Sequence, residues 1–207
     1  MYILQYQYVA GIIIINNLYF IESPLQLLSA IESKKEFDGK NYLFVNANRK
    51  TRKNNYDQIK SLIGNDEWKG VYFFNNFDSK LTSHLYYFLF AIKIFFKFRF
   101  SECRTFNGDF RNYYFNIFTH VLNPHLEILL DDGAVTLTIQ NKYFKNGINF
   151  ESYLRKKSDN FIKVYNFYKY VFKIKNRDNR PPDLYTLFDL EKSLFRGQRN
   201  YRKKSSK

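Results

Sequence analysis

The residues best suited to chemistry are two adjacent carboxylates, Asp131 and Asp132, followed by Gly133. They close the apolar run Leu126–Leu130 in a chain whose formal net charge is +14. A carboxylate at a strand end serves as a general base when burial or a like-charged neighbour raises its pKa toward working pH. Neighbouring residues on an extended backbone point opposite ways, so one acid would face a cleft and the other would hold the loop. Gly133 permits a turn that a Cβ would obstruct. On spacing alone the plainer account is a turn, because Asp-Asp-Gly is a common turn signal. Two further clusters of polar groups close apolar runs: Glu22-Ser23-Pro24 and Asn107-Gly108-Asp109. The histidines, His84, His120 and His125, have no metal-ligand spacing. No Ser-His-Asp or Cys-His arrangement is readable, and no glycine-rich phosphate loop is present. Neither a metal nor a cofactor is expected.

To act together, these clusters need strands that end at one edge. Short apolar runs predict strands at 18–21, 41–46, 70–75, 103–108 and 126–130, with one more at 184–188. Helical spacing predicts helices at 24–33, 54–64, 80–100 and 109–124, and one or two within 153–174. Ser23 suits the cap of the first helix and Pro24 its first position, with Leu25, Leu28 and Ile31 as its apolar side. Strand and helix alternate with short connections, which predicts an α/β fold: a Rossmann-like parallel sheet with helices on both faces. Ligands of such sheets bind beyond the carboxyl ends of the strands. The organisation expected is an N-terminal extension over 1–16 and one domain over 17–175. Over 176–207 it is a linker ("NRDNRPPD") followed by the start of a second domain or a basic tail.

The charge is concentrated at 49–53 ("RKTRK"), 93–99, 155–157 and the final twelve residues. Such a surface fits nucleic acid, anionic lipid headgroups or polyanionic substrates, and equally a plain solubilising role. Aromatics make up 20% of the chain, but with abundant Asn, Lys and Ile this matches the codon bias of an AT-rich genome. One cysteine, Cys103, excludes an internal disulfide and points to a reducing compartment. No basic n-region precedes "GIIII", and no stretch of about 20 uncharged apolar residues exists, so neither a signal peptide nor a membrane span is expected. The location implied is cytoplasmic. Segment 80–100 is apolar over most of its circumference, with Lys93, Lys97 and Arg99 near one end. A sheet-packing helix explains the apolar part. Peripheral docking to an anionic membrane explains the basic end.

Three segments, "YFIESPLQLLSAIES", "FNGDFRNYYFNIF" and "LEILLDDGAVT", occur in an order and spacing that resemble the bacterial sialyltransferases of lipooligosaccharide and polysialic acid capsules. The resemblance covers about 17–145 well and continues loosely to about 198, where "SLFRGQ" resembles the opening strand of a second domain. It implies the acceptor-side first half of a two-domain, type B glycosyltransferase. Asp131 would be the base that deprotonates an acceptor hydroxyl, which attacks CMP-sialic acid with inversion. Glu22, Ser23, Pro24 and Gln26 would line the interdomain cleft, with Asn107, Asp109, Asp132 and Gly133 as further substrate contacts. The implied partner is a glycan acceptor, lipooligosaccharide or capsular polysaccharide, rather than nucleic acid. The family's His-Pro motif is missing: His84, His120 and His125 precede Leu85, Val121 and Leu126. The expectation is therefore a truncated chain, inactive alone. The alternative is a non-catalytic basic α/β module that binds nucleic acid or anionic glycan.

Overall fold

A computed structural model describes residues 15–47, 53–64, 67–74, 80–174, 181–188, 190 and 194–201. The extension up to 14, most of "RKTRK", positions 175–180 of the linker and the last six residues lie outside the described residues.

Six strands form one all-parallel sheet: β1 (Asn16–Ile21), β2 (Lys40–Asn46), β3 (Gly70–Phe74), β4 (Cys103–Asn107), β5 (Leu126–Leu130) and β6 (Asp183–Tyr185). Their order is β3-β2-β1-β4-β5-β6. The chain winds outward from β1 to β3, then crosses to the other side of β1. The helices between are α1 (Pro24–Ser33), α2 (Lys53–Ile63), α3 (Lys80–Phe98), α4 (Tyr113–Leu122), α5 (Ala134–Lys142), α6 (Phe150–Lys157) and α7 (Asp159–Phe172). The expected Rossmann-like α/β fold is the observed one.

The strands read as continuous apolar runs because each feeds two cores. From β1, Leu18 and Phe20 enter the core under α3, α4, α6 and α7, while Tyr19 and Ile21 enter the one under α1 and α2. Much of the aromatic surplus is absorbed here. Phe20, Phe44 and Tyr72 are register partners on β1, β2 and β3 and stack at 4.8 and 5.0 Å. On the opposite side Tyr19 stacks on its partner Phe106 at 4.3 Å. Cross-strand stacks of this kind pin the register, since a slip of one residue would swap the two cores.

Two local expectations need correction. First, α4 begins at Tyr113 rather than 109, because residues 108–111 form a loop and the Asn112 side chain caps the helix through the Phe115 N–H. Secondly, the apolar side of α1 is not all core. Leu27 and Ala30 are buried, while Leu25 and Leu28 are 50% and 45% exposed. Beyond the linker, the described residues pack on this same sheet. β6 extends the same sheet, and 194–201 folds back on it: Leu184 N–H donates to the Arg199 carbonyl and Tyr201 N–H to the Leu184 carbonyl, both at 2.8 Å. Gln198 is buried and accepts from Gln140 Nε2 at 3.1 Å, tying "FRGQ" to α5.

Candidate functional site

The crossing from β3 to β4 sends the connections after β1 and β4 to opposite faces of the sheet, the usual place for a ligand crevice in an open parallel sheet. The predicted residues converge on this edge, with β5 supplying the paired acids beside it.

The first strand-to-helix turn is built around Gln26. Ser23 caps α1, its Oγ accepting the Gln26 N–H at 3.2 Å. The Gln26 side chain turns back, and its Oε1 accepts the Glu22 N–H at 2.8 Å. It is 1% exposed and passes directly over Gly108, where a Cβ would lie 2.2 Å from Oε1. Gly108 is thus required for room, and its N–H is fixed on the Phe20 carbonyl at 2.8 Å. The next residue, Asp109, is buried and held by Arg111, whose Nε and Nη2 donate to its two oxygens at 3.0 and 2.8 Å. The Arg111 N–H adds a third bond at 2.7 Å. Glu22 Oε2 accepts from Asn112 Nδ2 at 2.9 Å, which joins the loops after β1 and β4.

The paired acids diverge, as neighbours on extended backbone must. Asp132 faces the polar cluster: Ser23 Oγ donates to its Oδ1 at 3.4 Å, and the Gln26 side chain also bonds to it. Asp131 faces a cavity of about 410 Å³ between α1, the start of α5 and the loop after β6. Its Oδ1 accepts the Gly133 N–H at 2.9 Å and its Oδ2 the Leu187 N–H at 3.3 Å. Its own N–H donates to Ser29 Oγ at 3.2 Å. Gly133 has φ +63°, which leads into α5 with little penalty only for glycine. Leu25 and Leu28 form the apolar wall beside Asp131.

One predicted residue is not in the crevice. Asn107 is buried, and its side chain pairs with Thr119 of α4, 3.1 Å away, and reaches Glu127 at 3.5 Å. It joins β4 to its neighbours. Pro24 is the first residue of α1 and shapes the turn without a polar contact of its own. Arg111, Ser29 and the 185–188 loop went unpredicted. Only Arg111 carried a signal, lying two residues after an acid in "GDFR".

Burial pushes the Asp132 carboxyl above the usual aspartate range, and the Asp109 charge adds to this. Gln26, Ser23 and Arg111 oppose it. A carboxyl whose folded pKa lies above its unfolded value lowers stability as pH rises through that window, and above it the cost is complete. Asp132→Asn should therefore raise the melting temperature at neutral pH, by roughly 1–2 °C given its partial exposure. The gain should vanish below the unfolded aspartate pKa of about 3.9. Thermal melts of both proteins across this range check it. A gain that grew on acidification would refute the burial cost.

The histidines lie elsewhere. His120 Nδ1 and the Tyr165 hydroxyl are 2.6 Å apart in the core, and His84 pairs with Tyr114 at the same distance. Among the described residues no three His, Cys, Asp or Glu side chains group as metal ligands would, and no helix is long and apolar enough to cross a membrane. Set against known proteins, the chain has no match: no family model, curated protein or solved structure is significantly similar to it.

Proposed function

We propose that this chain is the acceptor-side domain of a sialyltransferase-like, type B glycosyltransferase. It would present a cell-surface glycan hydroxyl, on lipooligosaccharide or capsular polysaccharide, to CMP-sialic acid. The observation that carries the reading is Asp131: a carboxylate at a parallel-strand end, aimed by two backbone N–H groups and open to a cavity. Each oxygen keeps a lone pair for an incoming hydroxyl. In the reaction that hydroxyl proton passes to Asp131 as the oxygen bonds to the anomeric carbon. The bond from that carbon to the CMP phosphate oxygen breaks, and CMP leaves with its electron pair. Geometry ranks Asp131 above Asp132 as the base, because Asp132 is already engaged by Ser23 and Gln26. The half-exposed Leu25 and Leu28 beside Asp131 fit a surface that acceptor or a donor-binding domain would cover.

The chain itself can be tested. Titration with galactose- or sialic-acid-terminated oligosaccharides should shift the amide resonances of Gly133 and Leu187, whose N–H groups touch Asp131. Free CMP should leave them unmoved, because the family's nucleotide site belongs to the other domain. No shift at millimolar glycan would remove the reading. Tight RNA binding with a steep salt dependence would put the basic binding module in its place.

A further inference from the structure

The helix α3 is apolar on two opposite sides. Its inward side, with Tyr87, Phe90, Ala91, Ile94 and Phe98, belongs to the core. The outward side of a sheet-packing helix ordinarily carries charge. Here it carries Leu85, Leu89 and Phe96, which are 58%, 56% and 71% exposed. Their spacing of four and seven residues places them on one stripe. Helix α7 lies alongside, with Phe88 of α3 meeting Phe167 and Phe172. It continues the surface with Phe167, Tyr170 and Val171, where Tyr170 is 85% exposed. Two adjacent helices thus present a broad apolar and aromatic face away from the core.

The charges around this face are predominantly positive. Helix α3 contains no Asp or Glu, and α7 contains only Asp159, its first residue. Lys93 and Arg99 flank the stripe of α3, Arg99 lying 4.5 Å over the Phe95 ring, and Lys163 and Lys173 are exposed on the α7 side. Glu151, packed near α7, is already paired with Arg155 and Lys169. Exposed Glu102 follows Phe100 at the edge.

We infer that the α3–α7 face docks the protein on an anionic lipid bilayer. The helices would lie in the interface plane, with Leu85, Leu89 and Phe96 among the acyl chains and the flanking lysines and arginine at the headgroups. Charge decides the occupant. A second copy would bring the same cations against one another, whereas an anionic bilayer meets both the apolar centre and the basic rim. A ring such as Tyr170 suits the headgroup level, its apolar body inward and its hydroxyl in water. The inference does not depend on the transfer reaction proposed above.

The test is co-sedimentation of the full chain with vesicles of phosphatidylcholine alone, or of two parts phosphatidylcholine to one part phosphatidylglycerol. Binding to the anionic vesicles is expected. The double variant Leu89→Ser/Phe96→Ser, which keeps every charge, should weaken it about tenfold or more. As a second measurement, Phe96→Trp should show a blue-shifted emission increment on anionic vesicles over the unaltered chain. Four results overturn the inference: no binding to anionic vesicles, equal binding by the double variant, no blue shift, or self-association in solution that the double variant abolishes.

Discussion

Gly108→Ala should destabilise the fold by about 3 kcal/mol and lower the melting temperature by roughly 6–12 °C. A Cβ at this position lies 2.2, 2.4 and 2.9 Å from Oε1, Cδ and Cγ of Gln26, closer than any real contact. Relief by moving the glutamine is blocked. Gln26 sits in the first turn of α1, is 1% exposed, and holds both the Glu22 N–H and Asp132. Relief by moving the backbone is blocked as well, because the Gly108 N–H is bonded to the Phe20 carbonyl of β1. Gly197 is the control: its φ is +81° and nothing lies within 4 Å of a built Cβ, so alanine there meets only backbone strain of about 1 kcal/mol. Gln26→Ala alone frees the space but strands the Glu22 N–H, and should cost about 2 kcal/mol. The double variant should be clearly more stable than the sum of the two singles, since the clash exists only when both side chains are present. Urea unfolding of the four proteins measures this. A Gly108→Ala loss no larger than that of Gly197→Ala would show that the two strand-end turns are not locked together.

The sheet was largely legible because its central strands are buried on both faces. β1, β2, β4 and β5 are short apolar runs stopped by Asn, Gly or acid, and no surface pattern competes with that signal. Helix α5 was not legible. Val135, Thr136 and Thr138 are poor helix formers, and the segment has no strong apolar stripe. It forms because Gly133 turns the chain and the sheet edge buries Thr136, Ile139 and Gln140. For 181–188 and 194–201 a strand near 184 was legible, but the segment's place on this sheet was hidden for a similar reason. Its strand is three residues long, and its attachments are tertiary: β5 beside it, and Gln140 against Gln198.

The site divides in the same way. Ser23 and the paired acids announce themselves through local rules of capping and turn chemistry, whereas Gln26 entered only through the family resemblance. Asn107 carried the same polar signature at a strand end, yet its side chain is used inside the fold on Thr119. Local sequence does not distinguish an amide that faces a crevice from one that joins a strand to a helix. The partners that orient Asp131, Ser29 and the Leu187 N–H, lie 102 and 56 residues away in the chain. Nothing in their own surroundings marks them.

On the function proposed above, Asp131→Asn should reduce sialyl transfer by about 10²- to 10⁴-fold while leaving the fold intact. Asparagine keeps one acceptor for the Gly133 or Leu187 N–H, so the structural loss is about 1 kcal/mol. What disappears is the site that takes the acceptor proton, and an alcohol without a base is a poor nucleophile. The assay is transfer from CMP-sialic acid to a labelled oligosaccharide, with this domain joined to the nucleotide-binding half that the reaction requires. The defect should fall on kcat with KM little changed, because the proton moves only on the way to the transition state. Asp132→Asn is the internal comparison. Its carboxyl is pushed up by burial and engaged by Ser23 and Gln26, so its removal should change transfer less than about tenfold. The reverse pattern, with transfer retained in Asp131→Asn and lost in Asp132→Asn, would move the base to the polar side of the crevice. Asp131 would then be left as the residue that holds the turn.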